Sequence, residues 1–164
     1  MEYEGYRLRI EYSFDKIHDI IYIDIATGDC ITPKPIVYNY PQILDNIGFD
    51  ILTYNTETII AEKLETILNR GIANSRMKDY YDLYYIYTHT NELKINKNTL
   101  IMAILNTFDA RSYKYDRKHF ENIKKSIELK NAWIRYSRDN FFAKDITFEN
   151  IVKNIEQYIK LIEK

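Results

Sequence analysis

Three charged side chains fall where the hydrophobic pattern expects apolar ones, and all three are of types that handle phosphate. In TETIIAEKLETILNR, residues 56–70, a helical advance of about 100° per residue gathers Ile59, Ile60, Leu64 and Ile67 into one stripe. Lys63 lies inside that stripe, while Glu57, Glu62 and Glu65 lie away from its centre. A lysine facing a core is costly unless its charge is paired or its tip reaches water. Lys63 is thus either aimed into a cleft to hold an anion such as a nucleotide phosphate, or snorkelling at the rim of a sheet–helix contact. In RMKDYYDLYYIYTH, residues 76–89, Asp79 lies beside Leu83 and Ile86, near an apolar face centred on Tyr80, Leu83, Tyr84 and Tyr87. Two readings are open: a pocket carboxylate, or a structural first-turn aspartate paired with Arg76 three residues earlier. Asp82 points the other way and reads as a surface residue within reach of Lys78 at i−4. The third is Asp24 in IYIDIAT, which shares a strand face with Tyr22 and Ile20. A carboxylate in a covered strand needs a cation or several donors, and a metal-held phosphate or the loop amides after Gly28 would each serve.

The elements that must position these residues divide the chain in two. GYRLRIEYSF alternates with period two, and IIYIDI is apolar on both faces. The pair predicts an antiparallel hairpin about Asp15-Lys16, its second strand covered on both sides. ITPKPIVYNYPQIL holds all three prolines and predicts an extended connector, followed by a short strand over Phe49–Asn55. From there the pattern is helical. Asn55 or Thr56 opens a helix ending near Arg70 with Gly71 beyond it, and Ser75 caps the next, to about His89. A polar loop, a helix near Thr99–Phe108, a basic connector, a helix near Phe120–Ser137 and a last helix opened by Thr147 complete the chain. Strands first and helices after predict an α+β fold, with residues 1–54 forming a partial sheet, 55–164 a helical region, and the whole one continuous domain.

Composition narrows the function classes. The 164 residues carry a net charge of −1, which gives no global basic field for non-specific nucleic-acid binding. The basic stretch Arg111–Lys118, with Tyr113 and Tyr115 interleaved, reads as a solvated loop or as a patch that touches RNA. The single cysteine, Cys30, forms no internal disulfide and belongs to no zinc ligand set, which points to a reducing, cytoplasmic setting. No run approaches the ~18 apolar residues of a membrane span, so no membrane is expected. The 16 tyrosines read as packing residues rather than a binding signature.

The string YNTETIIAEKLETILNRGIANSRMKDYYDLYYI resembles the AbiEii/AbiGii family of nucleotidyltransferase-like toxins, in its lysine-bearing helix, short glycine turn and Arg-x-Lys-Asp-x-x-Asp-Leu-Tyr helix. YEGYRLRIEYSF and IYIDIATGDCITPKP resemble the preceding hairpin, so the likeness spans about residues 3–90. It implies a polymerase-β-like nucleotidyltransferase fold in a bacterial toxin–antitoxin or abortive-infection system that defends against phage. It also implies transfer of a nucleotide from an NTP to an acceptor, a tRNA being a candidate, with Mg²⁺ as cofactor and a cognate antitoxin as partner. By the same likeness Asp24 matches a metal-binding carboxylate, Lys63 the phosphate-binding lysine and Asp79 the helix aspartate that positions Lys63 or the acceptor. Glu62, Arg76 and Asp82 match flanking, nucleotide-binding positions.

The departure from the family pattern is as specific as the likeness. The fold's phosphate-cradling Gly-Ser and its metal-holding Asp-x-Asp do not occur in this sequence, and Glu2-x-Glu4 has the latter's spacing but precedes the hairpin. The chain therefore reads as the part of a family member that follows those motifs. One strand aspartate does not hold two metals. The expectation is a nucleotidyltransferase-like domain that is incomplete as it stands, the alternative being an inactive nucleotide- or protein-binding module. A partial sheet is expected to expose a strand edge and apolar surface, inviting self-association.

Overall fold

The computed structural model describes residues 5–43 and 47–163, which leaves Glu2 and Glu4 outside the described residues. Four strands come first: β1 (Gly5–Phe14), β2 (Ile17–Ala26), β3 (Ile36–Pro41) and β4 (Gly48–Thr53). Seven helices follow: α1 (Thr56–Arg70), α2 (Met77–Thr88), α3 (Thr90–Leu93), α4 (Lys97–Ala110), α5 (Arg117–Lys125), α6 (Ile127–Asp139) and α7 (Phe148–Ile159). The class is α+β, as the sequence predicts.

The strands form two separate two-stranded antiparallel sheets, β1–β2 and β3–β4. β1 and β2 run in register from Gly5 opposite Ala26 to Phe14 opposite Ile17, around a turn in which Asp15 takes a left-handed φ of 53°. Opposed residues share a face. One face therefore carries Tyr6, Leu8, Ile10, Tyr12 and Phe14 with Ile17, Asp19, Ile21, Ile23 and Ile25, and the other carries Arg7, Arg9 and Glu11 with Ile20, Tyr22 and Asp24. The expected cover over β2 is not found: among the described residues β2 pairs with β1 alone and is exposed along nearly its whole length. The proline-rich connector also holds more structure than expected. Pro33 and Pro35 stay outside the ladder, but Val37, Tyr38 and Tyr40 favour pleated backbone, and Pro41 fits at the strand's last position, opposite Gly48.

The core lies in the helices. Ile60, Leu64, Ile67 and Leu68 of α1, Tyr80 and Leu83 of α2, Ile104 of α4, Trp133 of α6, and Ile151, Ile155 and Ile159 of α7 are buried. α1 packs on α4, and α2 packs on both α1 and α7. Asn55 joins strands to helices. Its Oδ1 accepts from Thr58 N at 2.8 Å as the N-cap of α1, while its Nδ2 donates to the carbonyls of Thr32 at 2.7 Å and Lys34 at 3.2 Å. Two caps differ from expectation. Asn74 rather than Ser75 steadies the start of α2, its Oδ1 accepting from Arg76 N at 2.9 Å. The single helix expected over Phe120–Ser137 is broken at Ser126, whose backbone is extended and whose Oγ accepts from Leu129 N at 3.2 Å to start α6 afresh.

Candidate anion cleft between three helices

Lys63 leaves α1 from the turn that also bears Glu62 and Thr66, and its Nζ reaches across to α2. There it meets Asp79 Oδ1 at 3.0 Å and Asp82 Oδ2 at 2.7 Å. Asp79 is held in place because it falls one turn before buried Leu83 on the packed face of α2, and its side chain is only 5% exposed. Asp79 Oδ2 stands 3.1 Å from Arg76 Nε, the i+3 pair that the sequence allows, yet receives no hydrogen bond. Asp82 does not simply face solvent. It takes Lys78 at 3.4 Å as expected, but its shorter contact is to Lys63. Burial works against the charge on Lys63, and the hydrogen bonds and charges of Asp82 and Asp79 outweigh it, holding the ammonium above the ordinary lysine pKa.

Lys63, Arg76 and Asp79 line a cleft of about 320 Å³ together with Tyr54, Ile59, Glu62, Thr66 and Arg111. Glu62 lines the same cleft, and burial pushes its carboxyl pKa up against the pull of Arg111. Arg111, just beyond α4, pairs with Glu62 and, at 2.7 Å, with Glu65, whose side chain is 1% exposed. Glu65 is thus buried, although the stripe on α1 alone places it outside the core; α4 covers that flank. Arg111 Nη2 also lies 4.0 Å from Asp29, which accepts a hydrogen bond from Tyr54. Burial and that bond raise the Tyr54 phenol to about 12.

Asp24 is elsewhere. Its two oxygens take Arg7 Nε at 2.5 Å and Arg7 Nη2 at 2.9 Å, directly across the β1–β2 register, and it does not line the cleft. The hydrogen bond from Arg7 draws the Asp24 carboxyl below its usual range. The structure therefore brings Lys63, Asp79, Arg76, Glu62 and Asp82 to one place and leaves Asp24 out, which corrects the expectation of a covered strand carboxylate. Arg111 enters the cleft wall instead, and no signal in its own stretch distinguishes it from a loop arginine. The rest of the basic stretch is partly absorbed: Arg117 pairs with Glu121, Glu156 and Glu163, and Tyr113 and Tyr115 pack against the core.

The lining holds three cations, Lys63, Arg76 and Arg111, against two carboxylates, Glu62 and Asp79. Asp82, Glu65 and Asp29 pair with these cations from beside the lining, so an anion entering the cleft competes with carboxylates for Lys63 and the forked guanidinium groups. A resident divalent metal is a different matter. No group of three or more His, Cys, Asp or Glu side chains able to hold one exists among the described residues, and Asp24 has both oxygens committed to Arg7. The described side chains do not fit such an ion. No described helix is long and apolar enough to cross a membrane.

Residues 1–157 match the family model described as the nucleotidyl transferase AbiEii toxin of type IV toxin–antitoxin systems, and the chain belongs to that family. No curated protein and no solved structure shows a significant match.

Proposed function

From membership of a nucleotidyltransferase toxin family, we propose that this chain takes part in transferring a nucleotide from an NTP to an acceptor hydroxyl, with tRNA as the candidate acceptor. The hydroxyl oxygen attacks the α-phosphorus as its proton passes to water, the bond from the α-phosphorus to the bridging β-phosphate oxygen breaks, and pyrophosphate leaves. The reading rests on one observation: Lys63, oriented by Asp79 and Asp82, lines a cleft that Arg76 and Arg111 also line. Lys63 and Arg76 steady the triphosphate, Asp79 orients Lys63 or the acceptor, and Glu62 and Asp82 hold the surrounding cations in place. Mg²⁺ enters as the ion carried by the triphosphate, and no step is assigned to a metal held by Asp24. The setting is cytoplasmic, the biological role phage defence, and the regulating partner a cognate antitoxin. The exposed β1–β2 hairpin supports self-association as well.

The test is to incubate the chain with Mg²⁺, total tRNA and each α-labelled NTP in turn. Label moving to RNA, and abolished in Lys63→Ala, supports the reading. No transfer, and no thermal stabilisation by any NTP, overturns it. A second reading, an inactive module that binds nucleotide or protein, is favoured by the commitment of Asp24 to Arg7. Stabilisation by NTP without transfer is its signature.

A further inference from the structure

We propose that Arg111 is a positioning residue for Lys63, an inference that rests on reading the cleft as a phosphate site. At about 100° per residue, Ile59, Glu62, Lys63 and Thr66 of α1 share the quadrant that lines the cleft. Lys63 stands at one flank of that quadrant and Glu62 at the other, with Glu65 a further step beyond Glu62. The two flanks are gripped from opposite sides. Asp79 and Asp82 of α2 hold the Lys63 tip at 3.0 and 2.7 Å. Arg111 holds Glu65 at 2.7 Å and Glu62 through its other terminal nitrogen. The apolar face of α1 is fixed in the core, and the two grips add to that in setting the direction in which Lys63 points.

The need for Arg111 follows from Glu65. Its carboxylate is 1% exposed, and Oε1 has no hydrogen-bond partner, so its charge depends on Arg111 through Oε2. Without the guanidinium, a buried carboxylate is left unpaired, which is expensive. The carboxylate then takes up a proton or moves with its flank of α1 toward the cleft water. Either change releases the Arg111 grip on that flank of α1, and the contacts of Lys63 with Asp79 and Asp82 loosen with it. A lysine at position 111 is a single point of charge and does not span Glu62 and Glu65 as the fork does.

The experiment uses the full chain, comparing wild type with Arg111→Gln, Arg111→Lys and Lys63→Met. Lysine acetylation rates are read site by site by mass spectrometry, and affinity is measured for inorganic tripolyphosphate. In Arg111→Gln, Lys63 is expected to label several-fold faster while Lys97, Lys153 and Lys160 keep their wild-type rates. Tripolyphosphate affinity is expected to fall about tenfold, the scale of one charge-assisted hydrogen bond, with Arg111→Lys in between. Unchanged Lys63 labelling in Arg111→Gln overturns the proposal, and so does a rise at all lysines together, which marks a loss of fold instead. The two readings separate cleanly. If wild type fails to bind tripolyphosphate while Lys63 labelling still responds to Arg111→Gln, the phosphate reading falls and the positioning role stands. If Lys63→Met abolishes binding while Arg111→Gln labels and binds as wild type, the reverse holds.

Discussion

Lys63 is held by two carboxylates of another helix, and that arrangement makes its charge part of the fold's stability as well as of the cleft. Asp79 is the more buried partner, so Asp79→Asn leaves the ammonium half-buried with Asp82 as its remaining described carboxylate. The expected cost is about 1–3 kcal/mol, below that of a fully buried pair because Lys63 still touches water. Urea unfolding measures it, and a change within about 0.5 kcal/mol, the scale of ordinary surface substitutions, would contradict the buried-pair account. The pH dependence has a definite sign. The folded pKa of Lys63 is raised, so its contribution is complete below the ordinary lysine value of 10.5 and is lost as pH rises through the raised one. The stability gap between wild type and Lys63→Met should therefore hold through neutral pH and close in strong alkali. Both Lys63 and Asp79 are legible in the sequence as charges inside apolar stripes. Asp24 is also legible as an oddity, but its explanation lies in the turn: two residues at Asp15-Lys16 put Arg7 opposite Asp24, and an ion pair follows. Arg111 is not legible, because a loop arginine carries no local mark of which helix it reaches.

At the scale of elements, the junction between α1 and α2 sets the distance over which Lys63 meets Asp79. Gly71 ends α1 with φ 54° and ψ −135°, and its N–H bonds the carbonyl of Ile67. That backbone region is nearly closed to residues with a Cβ. The side chain of His119, at the start of α5, also occupies the space that a Cβ on Gly71 would need. Gly71→Ala combines both costs, and a loss of roughly 2–4 kcal/mol is expected from strain plus displaced packing. Thermal or urea unfolding reads it, and the companion His119→Ala separates the parts: in that background Gly71→Ala should cost less, by the packing share. A cost identical in both backgrounds would show that His119 does not matter there. The glycine stop is plain in the sequence, as are the Asn55 and Thr147 caps, because these signals are local. His119 is not, since 48 positions separate it from Gly71 along the chain. The break at Ser126 escapes the pattern for a related reason: the apolar period runs on through it, and only the extended backbone there shows two helices.

For the whole molecule, the contrast is between a helical half with a closed core and a strand half without one. Among the described residues the buried apolar ones all come from the helices and their connections, whereas Tyr6, Leu8, Ile10, Tyr12, Phe14, Ile17, Ile21, Ile23 and Ile25 share one face of the first hairpin and stay exposed. The period-two pattern of the sequence predicts that face but not its lack of a cover, because alternation states which residues turn the same way and not what lies against them. A two-stranded ribbon is marginal alone in water, and a contiguous apolar face of this size favours association. The chain should therefore exceed its monomer mass of 19.8 kDa in a concentration-dependent way when followed by sedimentation velocity. Ile10→Lys with Ile23→Glu places opposite charges on neighbouring strands of that face. The pair should shift the mass back toward the monomer and leave the helical core's unfolding transition in place, since neither residue belongs to that core. Wild type remaining monomeric at high concentration would refute the expectation. Association that the paired substitution does not alter would locate the sticky surface elsewhere, for instance on the exposed Val37 and Leu52 of the second hairpin. A cognate antitoxin that bound this same face would compete with self-association, so its addition to wild type should lower the self-associated fraction in proportion to its occupancy.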